Sequence, residues 1–252
     1  MNFGRKIAIA IERIKIHQPR DGYYLAFSGG KDSCVIKALA DMAGAKYDAH
    51  YSVTTIDPPP VVYFIRQHHK DVIWDRPEVP LLKKLETRGF PKRQSRWCCE
   101  LYKENGGWGR TCLLGVRAAE SRNRADRKVV GRCFKNPIGK TFVNPIIDWT
   151  EKDVWQFIGK FSVPYCKIYD EGFTRVGCLF CPFKPQRVRE AEAQKYPAFA
   201  ERFIVSFNRL HTNRCAKGKS KFVKKFPSGR EMFYWWLTGK GAQKDDSLDG
   251  LL

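Results

Sequence analysis

The chain has 252 residues, 43% of them apolar, and a formal net charge of +20. This length suits one large domain or a domain with an appendage, and no apolar run approaches the roughly 18 to 20 residues of a membrane span. The first helical segment mixes charged residues with isoleucines, unlike a secretory leader, so we expect a cytoplasmic protein without a membrane partner.

Predicted helices and strands alternate along the first two thirds of the chain. Helices are expected at 2–17, 31–43, from 58 onward, at 81–88, at 97–105 and after a capping box that begins at 150, and strands at 23–27, 47–54, 71–74, 111–117 and 129–134. The last of these strands is expected to be antiparallel. Such alternation is typical of an α/β fold with a doubly wound, mostly parallel sheet, which binds ligands beyond the carboxyl ends of its strands.

The region after residue 165 differs in pattern. Its strand signal ends, residues 186–212 have a helical pattern, and residues 240–252 resemble a loose tail. We therefore predict an α/β domain over 1–165 and a helical, basic, cysteine-containing C-terminal region over 166–252 that packs on it.

Positive charge is concentrated between Glu201 and Glu231, a stretch without any acidic residue. Aromatic side chains lie within or just after this basic stretch, namely Phe222, Phe226, Tyr234, Trp235 and Trp236. Basic residues among aromatic ones suit a nucleic-acid partner. A solvated helical face above a small aromatic core explains the same pattern equally well.

The segment Ser28–Ser33 reads Ser-Gly-Gly-Lys-Asp-Ser and follows the apolar run 23–27. A buried strand that ends in a glycine turn before a helix directs backbone N–H groups at one point, which is how proteins hold phosphate. Two glycines allow the backbone to approach an anion closely. We predict nucleotide contacts from the whole loop: backbone from Gly29 and Gly30, hydroxyls from Ser28 and Ser33, positive charge from Lys31, and from Asp32 a carboxylate suited to capping the helix or holding Mg²⁺.

The pattern Ser-Gly-Gly-x-Asp-Ser resembles the PP-loop of enzymes that cleave ATP between its α and β phosphates. Three further segments, Thr55–Pro59, Gly115–Arg122 and Asn144–Trp155, extend the similarity over most of residues 20–185. Together they resemble the phosphoadenosine-phosphosulfate reductase family, within the adenine nucleotide α-hydrolase superfamily, whose fold is Rossmann-like.

This resemblance implies a set of site residues and ligands. In relatives, the segment that matches Thr55 and Asp57 lies beside the adenosine, and the arginines that match Arg117 and Arg122 face phosphate or sulfate oxygens. Guanidinium groups bind oxyanions bidentately, so Arg124 fits the same role. The expected ligand is an adenine nucleotide, ATP with Mg²⁺, and the catalytic candidates are Lys31, Asp32, Arg117 and Arg122.

Two cysteine pairs, Cys98-Cys99 and Cys178-Leu179-Phe180-Cys181, are the candidate metal ligands. The chain has 9 cysteines, which in a cytoplasmic protein indicate metal or redox chemistry rather than disulfides. Four thiolates suit tetrahedral zinc or a [4Fe–4S] cluster, and adjacent cysteines reach two irons of a cluster more easily than one zinc ion. The set also resembles that of iron–sulfur adenosine-phosphosulfate reductases and related sulfur-transfer enzymes. We expect [4Fe–4S], with zinc and unligated thiols as alternatives.

Cys215 is the candidate for a catalytic or sulfur-carrying thiol. It lies among Arg214, Lys217 and Lys219, and positive neighbours favour the thiolate. A plain surface cysteine is the simpler interpretation of the same residue.

Two features depart from the sulfonucleotide reductases of the family. The chain lacks their C-terminal Glu-Cys-Gly-x-His motif, and its glycine loop is intact where theirs tends to be degraded. Both departures favour ATP as the nucleotide. Our first hypothesis is therefore ATP α–β cleavage coupled to iron–sulfur-assisted sulfur transfer, in relatives onto nucleic acid, with a sulfur or electron donor protein as a partner. The second is a sulfonucleotide reductase with Cys215 or a partner thiol, and the third is a non-catalytic, basic nucleic-acid-binding module.

Overall fold

The computed structural model describes residues 2–218 and 223–239. The tail predicted at 240–252 and residues 219–222 of the basic stretch lie outside the described residues. The chain groups into two compact units: unit 1 contains Met1–Val53, Pro58–Arg76 and Asn105–Gly177, and unit 2 contains Thr54–Asp57, Pro77–Glu104 and Cys178–Leu252. Neither unit is one continuous stretch, and the division predicted at residue 165 stays a prediction.

Unit 1 is built on a six-stranded sheet. Its strands are β1 (Tyr23–Ala26), β2 (Tyr47–Ser52), β3 (Ile73–Asp75), β4 (Thr111–Leu113), β5 (Val130–Cys133) and β6 (Lys140–Val143), in the spatial order β3-β2-β1-β4-β6-β5. Neighbouring strands are parallel except β5 and β6, which are antiparallel. This confirms the predicted α/β fold with its mostly parallel sheet and the antiparallel strand near residue 130.

The α-helices of the described residues are α1 (Phe3–Ile16), α2 (Lys31–Met42), α3 (Pro59–His68), α4 (Leu81–Arg88), α5 (Trp97–Tyr102), α6 (Arg122–Ala125), α7 (Glu151–Lys160), α8 (Gln186–Lys195), α9 (Pro197–Ala216) and α10 (Gly229–Thr238). The predicted capping box is present, since the Thr150 hydroxyl accepts from the Asp153 N–H and the Asp153 carboxylate accepts from the Thr150 N–H. Over the described ranges, none of these helices combines the length and apolar composition needed to cross a membrane.

Some elements differ from their prediction. The strand expected at 111–117 ends at Leu113, and the residues after it form an irregular connection to a 3₁₀ turn at Ala118–Glu120. Strand β6 and helix α10 were absent from the prediction. The four residues of β6 are too few to show a period, and α10 is rich in aromatic residues that also suit strands.

Each unit has its own hydrophobic core. In unit 1, Leu25 of β1, Leu39 of α2 and Phe157 of α7 are fully buried against the sheet. In unit 2, the core is largely aromatic and includes Phe207 of α9 and Phe233 of α10, whose rings meet edge to face at 5.5 Å. Burying each such side chain contributes roughly 1.5–3 kcal/mol, which stabilises the elements that position the candidate sites.

Candidate functional site

The glycine loop Ser28–Ser33 lies between β1 and α2 in unit 1, as predicted. Gly30 is the N-cap of α2, and Gly29 has a φ of +70°, a left-handed conformation that favours glycine. A Cβ atom at Gly29 would lie 3.0 Å from side-chain atoms of both Val61 and Ile65. Conformation and packing against α3 therefore both require glycine at this position.

The hydroxyls of Ser28 and Ser33 shape the loop. The Ser33 Oγ donates to the Gly30 carbonyl at 2.8 Å and accepts from the Ser28 N–H at 3.2 Å. The Ser28 Oγ lies 3.2 Å from the Ser33 Oγ and accepts from the Gly30 N–H at 3.3 Å. The hydroxyls predicted to contact phosphate thus lie side by side within the loop, where they also determine its conformation.

Lys31 begins α2 but is only 4% exposed. Its ammonium donates to the Thr174 carbonyl at 2.8 Å and lies 3.3 Å from a carboxylate oxygen of Glu151. The ammonium also lies 4.9 Å from the centre of the Tyr169 ring. The cation predicted for the polyphosphate is therefore held by other segments of unit 1, and its contact with a nucleotide stays a prediction.

The structure brings together two predicted catalytic residues, Asp32 and Arg117. The Arg117 Nε donates to the Asp32 Oδ1 at 2.6 Å, and a terminal nitrogen of the same guanidinium lies 3.6 Å from a carboxylate oxygen of Glu120. Arg117 is 4% exposed and immediately precedes the 3₁₀ turn. A buried guanidinium beside the glycine loop is therefore fixed in direction by the carboxylate of that loop.

Further arginines of unit 1 lie near this ion pair. Burial lowers the pKa of Arg124 to about 10, and the positive charges of Arg175, Arg127 and Arg117 add to the lowering. Like charges held close together favour the binding of an oxyanion, which would offset their repulsion. Arg122, in contrast, is exposed at the start of α6.

The segment predicted to flank the adenosine, Thr54–Asp57, belongs to unit 2. The Asp57 carboxylate accepts from the Thr54 N–H at 2.8 Å, and the Thr55 hydroxyl accepts from the Leu81 N–H at 3.0 Å. Thr55 has a φ of +65°, so the backbone turns sharply there. The Cys178 Sγ lies 3.5 Å from the Thr54 Oγ1, which places this segment in contact with a predicted metal ligand.

The four predicted metal ligands all belong to unit 2 and are partly buried free thiols. Cys98 and Cys99 lie in α5 and hydrogen-bond to each other, which raises the pKa of Cys98 and lowers that of Cys99. Burial and then the charges of Cys99, Cys178 and Cys181 add to the rise in the Cys98 pKa. The charges of Cys178 and Cys181 therefore affect Cys98, and the arrangement of the four thiols as one ligand set stays a prediction.

Two cations lie beside these thiols. Arg96 hydrogen-bonds to Cys99, and Arg96 and Lys103 both add to the lowering of the Cys99 pKa. Lys103 hydrogen-bonds to Cys178, and the charge of Cys178 is the main reason that the pKa of Lys103 is raised, with Asp57 adding to the rise. Lys103 therefore links the predicted adenosine segment to the cysteines by charge.

A buried carboxylate holds the turn between Cys178 and Cys181. Phe180 has a φ of +56°, and its N–H donates to a carboxylate oxygen of Glu192 at 2.9 Å. The ammonium of Lys184 contacts the other oxygen of Glu192, which is 1% exposed. A buried carboxylate needs such partners, and here they fix the spacing of the two thiols.

The donor chemistry of the four cysteines fits a thiolate-bound metal centre, with Arg96 and Lys103 offsetting its negative charge. Within residues 2–218 and 223–239, no group of three or more His, Cys, Asp or Glu side chains is arranged to hold a single metal ion. The [4Fe–4S] cluster and the zinc alternative both stay proposals.

Cys215 lies in α9 of unit 2 and is partly buried. Its Sγ lies 3.8 Å from the Nε2 of His211, and this Nε2 lies 2.8 Å from the Phe226 carbonyl oxygen. The predicted role of Cys215 as a reactive thiol stays a prediction.

The aromatic residues of the basic stretch lie mainly in the core of unit 2. Phe226 and Trp236 are buried, and Trp235 packs against Phe226. Tyr234 is 44% exposed. These positions favour the solvated face above an aromatic core over a surface on which bases stack, and the nucleic-acid partner stays a prediction.

Residues 22–184 match the family model described as the phosphoadenosine phosphosulfate reductase domain. The chain belongs to this family. The match of the phosphoadenosine phosphosulfate reductase domain includes the glycine loop, Arg117 and all four predicted metal ligands.

Two relatives show how far the similarity extends. An uncharacterized protein of Methanocaldococcus jannaschii is 30% identical over 194 residues, which are 71% of this chain and 40% of that protein. A probable FAD synthase of Caenorhabditis briggsae is 28% identical over 198 residues, which are 70% of this chain and 34% of that protein. The chain therefore spans at most 40% of the length of these two relatives.

Among solved structures, the chain is similar to phosphoadenylyl-sulfate reductase from Candida auris, crystallised as a phosphate complex. The TM-score is 0.53 and the identity 16%, covering 67% of this chain and 87% of that chain. At this identity the comparison supports the fold alone, in agreement with the parallel sheet described above.

Several site residues were absent from the sequence prediction. Lys103 follows Cys99 by four residues, a spacing that puts both on one helical face, and this signal was available. Glu192, Tyr169 and Arg175 gave no such signal, because each reaches its site through tertiary contacts.

Proposed function

We propose that the chain is an enzyme that cleaves ATP between the α and β phosphates to adenylylate an acceptor, and that a metal centre on its cysteines assists transfer of sulfur to that acceptor. The observation that supports the first step is the intact glycine loop, with Gly29 left-handed and α2 directly after it. A loop of this shape suits the β and γ phosphates of a nucleotide.

The reaction needs positioning and charge neutralisation more than covalent help from the protein. An acceptor oxygen attacks the α phosphorus, and pyrophosphate leaves. The loop N–H groups and the α2 N-terminus bind the leaving phosphates, Lys31 adds positive charge, and Arg117 with its neighbouring arginines offsets charge at the α phosphate. Asp32, oriented by Arg117, is the carboxylate available to Mg²⁺. A sulfur nucleophile then displaces AMP from the acceptor.

The residues that would hold the metal centre are Cys98, Cys99, Cys178 and Cys181. A [4Fe–4S] cluster there would supply iron that binds sulfur and exchanges electrons, and zinc is the alternative. The contact between Thr54 and Cys178 supports this coupling, because it joins the segment assigned to the adenosine with the cysteines.

A sulfonucleotide reductase is the second candidate. The family description favours it. The relative described as a probable FAD synthase instead supports a reaction other than sulfonucleotide reduction. The intact glycine loop Ser28–Ser33 favours ATP.

The test is a turnover assay on anaerobically purified protein. The protein is incubated with Mg²⁺, ATP labelled at the α phosphorus and sulfide as the sulfur nucleophile, with tRNA, DNA and small-molecule acceptors in turn. We expect labelled AMP and unlabelled pyrophosphate from the unmodified protein, and neither product from Asp32→Asn.

Three other results would contradict this proposal. Sulfite released from adenosine phosphosulfate in the presence of thioredoxin, without AMP release from ATP, favours the reductase. Salt-dependent nucleic-acid binding that survives Lys31→Ala, with no turnover in either assay, favours the non-catalytic module. Absence of all three activities overturns the proposed function.

The proposed setting of the enzyme is the cytoplasm, with a sulfur or electron donor protein and an acceptor that includes nucleic acid as partners. The nine free thiols suit a reducing compartment. The net charge of +20 suits a polyanionic acceptor.

A further inference from the structure

The segment Tyr169–Val176 of unit 1 packs against the glycine loop. The N–H of Lys31, the first residue of α2, donates to the Tyr169 Oη at 2.9 Å. A Cβ atom at Gly30 would lie 3.4 Å from this oxygen, so the hydroxyl lies directly beside the loop.

The Lys31 N–H uses an acceptor position of the Tyr169 hydroxyl. A phenol also has one proton, which can donate to a second partner. Burial is the main reason that the pKa of Tyr169 is raised, and the hydroxyl therefore keeps this proton at neutral pH. The hydrogen bond from Lys31 reaches the oxygen of this group, so its proton is the part that a ligand oxygen could accept.

The direction of the hydroxyl is fixed by the packing of the ring. The Tyr169 ring meets Trp155 of α7 edge to face at 5.3 Å, and the Lys31 ammonium lies 4.9 Å from its centre. Thr174, on the same segment, accepts from the Lys31 ammonium. Arg175 of this segment adds positive charge near Arg124.

We propose that Tyr169 is a phosphate-binding residue of this site: its hydroxyl, held by the N–H of Lys31, donates its proton to an oxygen of the β or γ phosphate in the glycine loop. The assignment rests on the proposed function, because it requires a diphosphate or triphosphate group in that loop.

Three further features of the site agree with this assignment. The loop already offers hydroxyls from Ser28 and Ser33, so a third hydroxyl adds to an existing set of donors. The Tyr169 residue is partly buried, so some of its surface stays exposed to solvent. A neutral donor suits this position because several arginines already supply positive charge nearby.

The test compares Tyr169→Phe with Tyr165→Phe. Tyr165 is the matched control because its ring also meets Trp155 edge to face at 5.3 Å and 86°, while its hydroxyl bonds to Asp170. Dissociation constants are measured by calorimetry in Mg²⁺ for ATP, inorganic pyrophosphate and AMP, together with the melting temperature of each variant without ligand.

We expect Tyr169→Phe to raise the dissociation constants of ATP and pyrophosphate by about 10-fold, because the variant loses a hydrogen bond to a charged group. The dissociation constant of AMP, which lacks the β and γ phosphates, should change by less than about 3-fold in the same variant. Tyr165→Phe should bind all three ligands like the unmodified protein. AMP binding and the melting temperature report that the variant is folded.

Four outcomes would overturn the assignment. Unchanged pyrophosphate affinity in Tyr169→Phe means that the hydroxyl does not touch phosphate. Tighter binding of pyrophosphate by Tyr169→Phe means that the tyrosine hydroxyl competes with phosphate for the Lys31 N–H. If Tyr169→Phe loses as much affinity for AMP as for pyrophosphate, or if Tyr165→Phe loses the same affinity, the effect is one of packing. If the unmodified protein binds no adenine nucleotide and no pyrophosphate, the proposed function fails first, and the assignment fails with it.

Discussion

The Nε of Arg117 lies 2.6 Å from the Oδ1 of Asp32 and joins the start of α2 to the turn that follows β4. Arg117 is 4% exposed and Asp32 is partly buried, so removing either partner leaves a poorly solvated charge. Because Asp32 belongs to the glycine loop, the same ion pair also orients the carboxylate proposed for Mg²⁺.

The first prediction concerns this pair in catalysis. Asp32→Asn and Arg117→Gln should each lower the rate of AMP formation by roughly 100-fold or more, since each removes charge placed for the transition state. The double variant should form AMP about as slowly as either single variant. The coupling free energy between the two residues should be about 1–3 kcal/mol, because they act together. AMP release at saturating ATP measures all four proteins.

Arg132→Gln is the control for this cycle, because Arg132 is an exposed arginine of β5. It should retain the activity of the unmodified protein. Additive losses in the double variant would contradict the pairing, since they would mean that the two residues contribute independently.

The second prediction separates the two reasons for glycine at position 29. Gly29 and Gly44 have φ values of +70° and +65°, but a Cβ atom at Gly44 would meet nothing within 4 Å. Gly44→Ala should therefore lower the free energy of unfolding by about 1 kcal/mol, the cost of placing alanine in a left-handed conformation. Gly29→Ala should cost about 1–3 kcal/mol more, because Val61 and Ile65 must move. Urea unfolding measures the difference, and equal losses would rule out the packing term.

The third prediction concerns metal loading. After anaerobic reconstitution with iron and sulfide, the unmodified protein should hold about four irons per chain. Cys98→Ser, Cys99→Ser, Cys178→Ser and Cys181→Ser should each lower this value strongly, since each removes a ligand. Cys215→Ser is the control from the same unit and should load normally. About one zinc and no sulfide per chain would support the zinc alternative, and loading that is indifferent to all four cysteines would exclude both centres there.

The fourth prediction concerns His69, which is 6% exposed at the end of α3 and packs against Phe27 and Phe64. Burial lowers its pKa from 6.5 to about 4. Between these two values the unfolded chain binds more protons than the folded one, so stability rises with pH across this range. Lowering the pH from 7.5 to 5.0 should therefore cost the unmodified protein about 2 kcal/mol through this residue.

His69→Leu should lose that component of the pH dependence, whereas His68→Leu, at the exposed neighbouring histidine, should keep it. Unfolding in urea at the two pH values gives the comparison. The same pH dependence in His69→Leu as in the unmodified protein would show that His69 is not the group responsible.

The sequence predicted correctly those features whose residues lie close together in the chain. The glycine loop was predictable because a strand, two glycines and a helix follow one another in the chain, and the α7 capping box because Thr150 and Asp153 are three residues apart. The direction of Lys31 was not predictable, since its partners Glu151 and Thr174 lie far along the chain. Ligand chemistry predicted the four cysteines as one ligand set, which stays a prediction, whereas Lys103 and Glu192 reach these cysteines only through tertiary packing.

The left-handed Phe180 between Cys178 and Cys181 has a thermodynamic consequence. Its N–H is bonded to the buried Glu192, so folding of unit 2 orders the connection between the two thiols before any ion arrives. The conformational entropy of Cys178 and Cys181 is then lost on folding and not on metal binding. A metal centre that binds there would meet a preorganised pair of thiols. If the proposed metal centre forms there, unit 2 should keep its fold when chelators remove the metal, in contrast to small domains that fold around their ion.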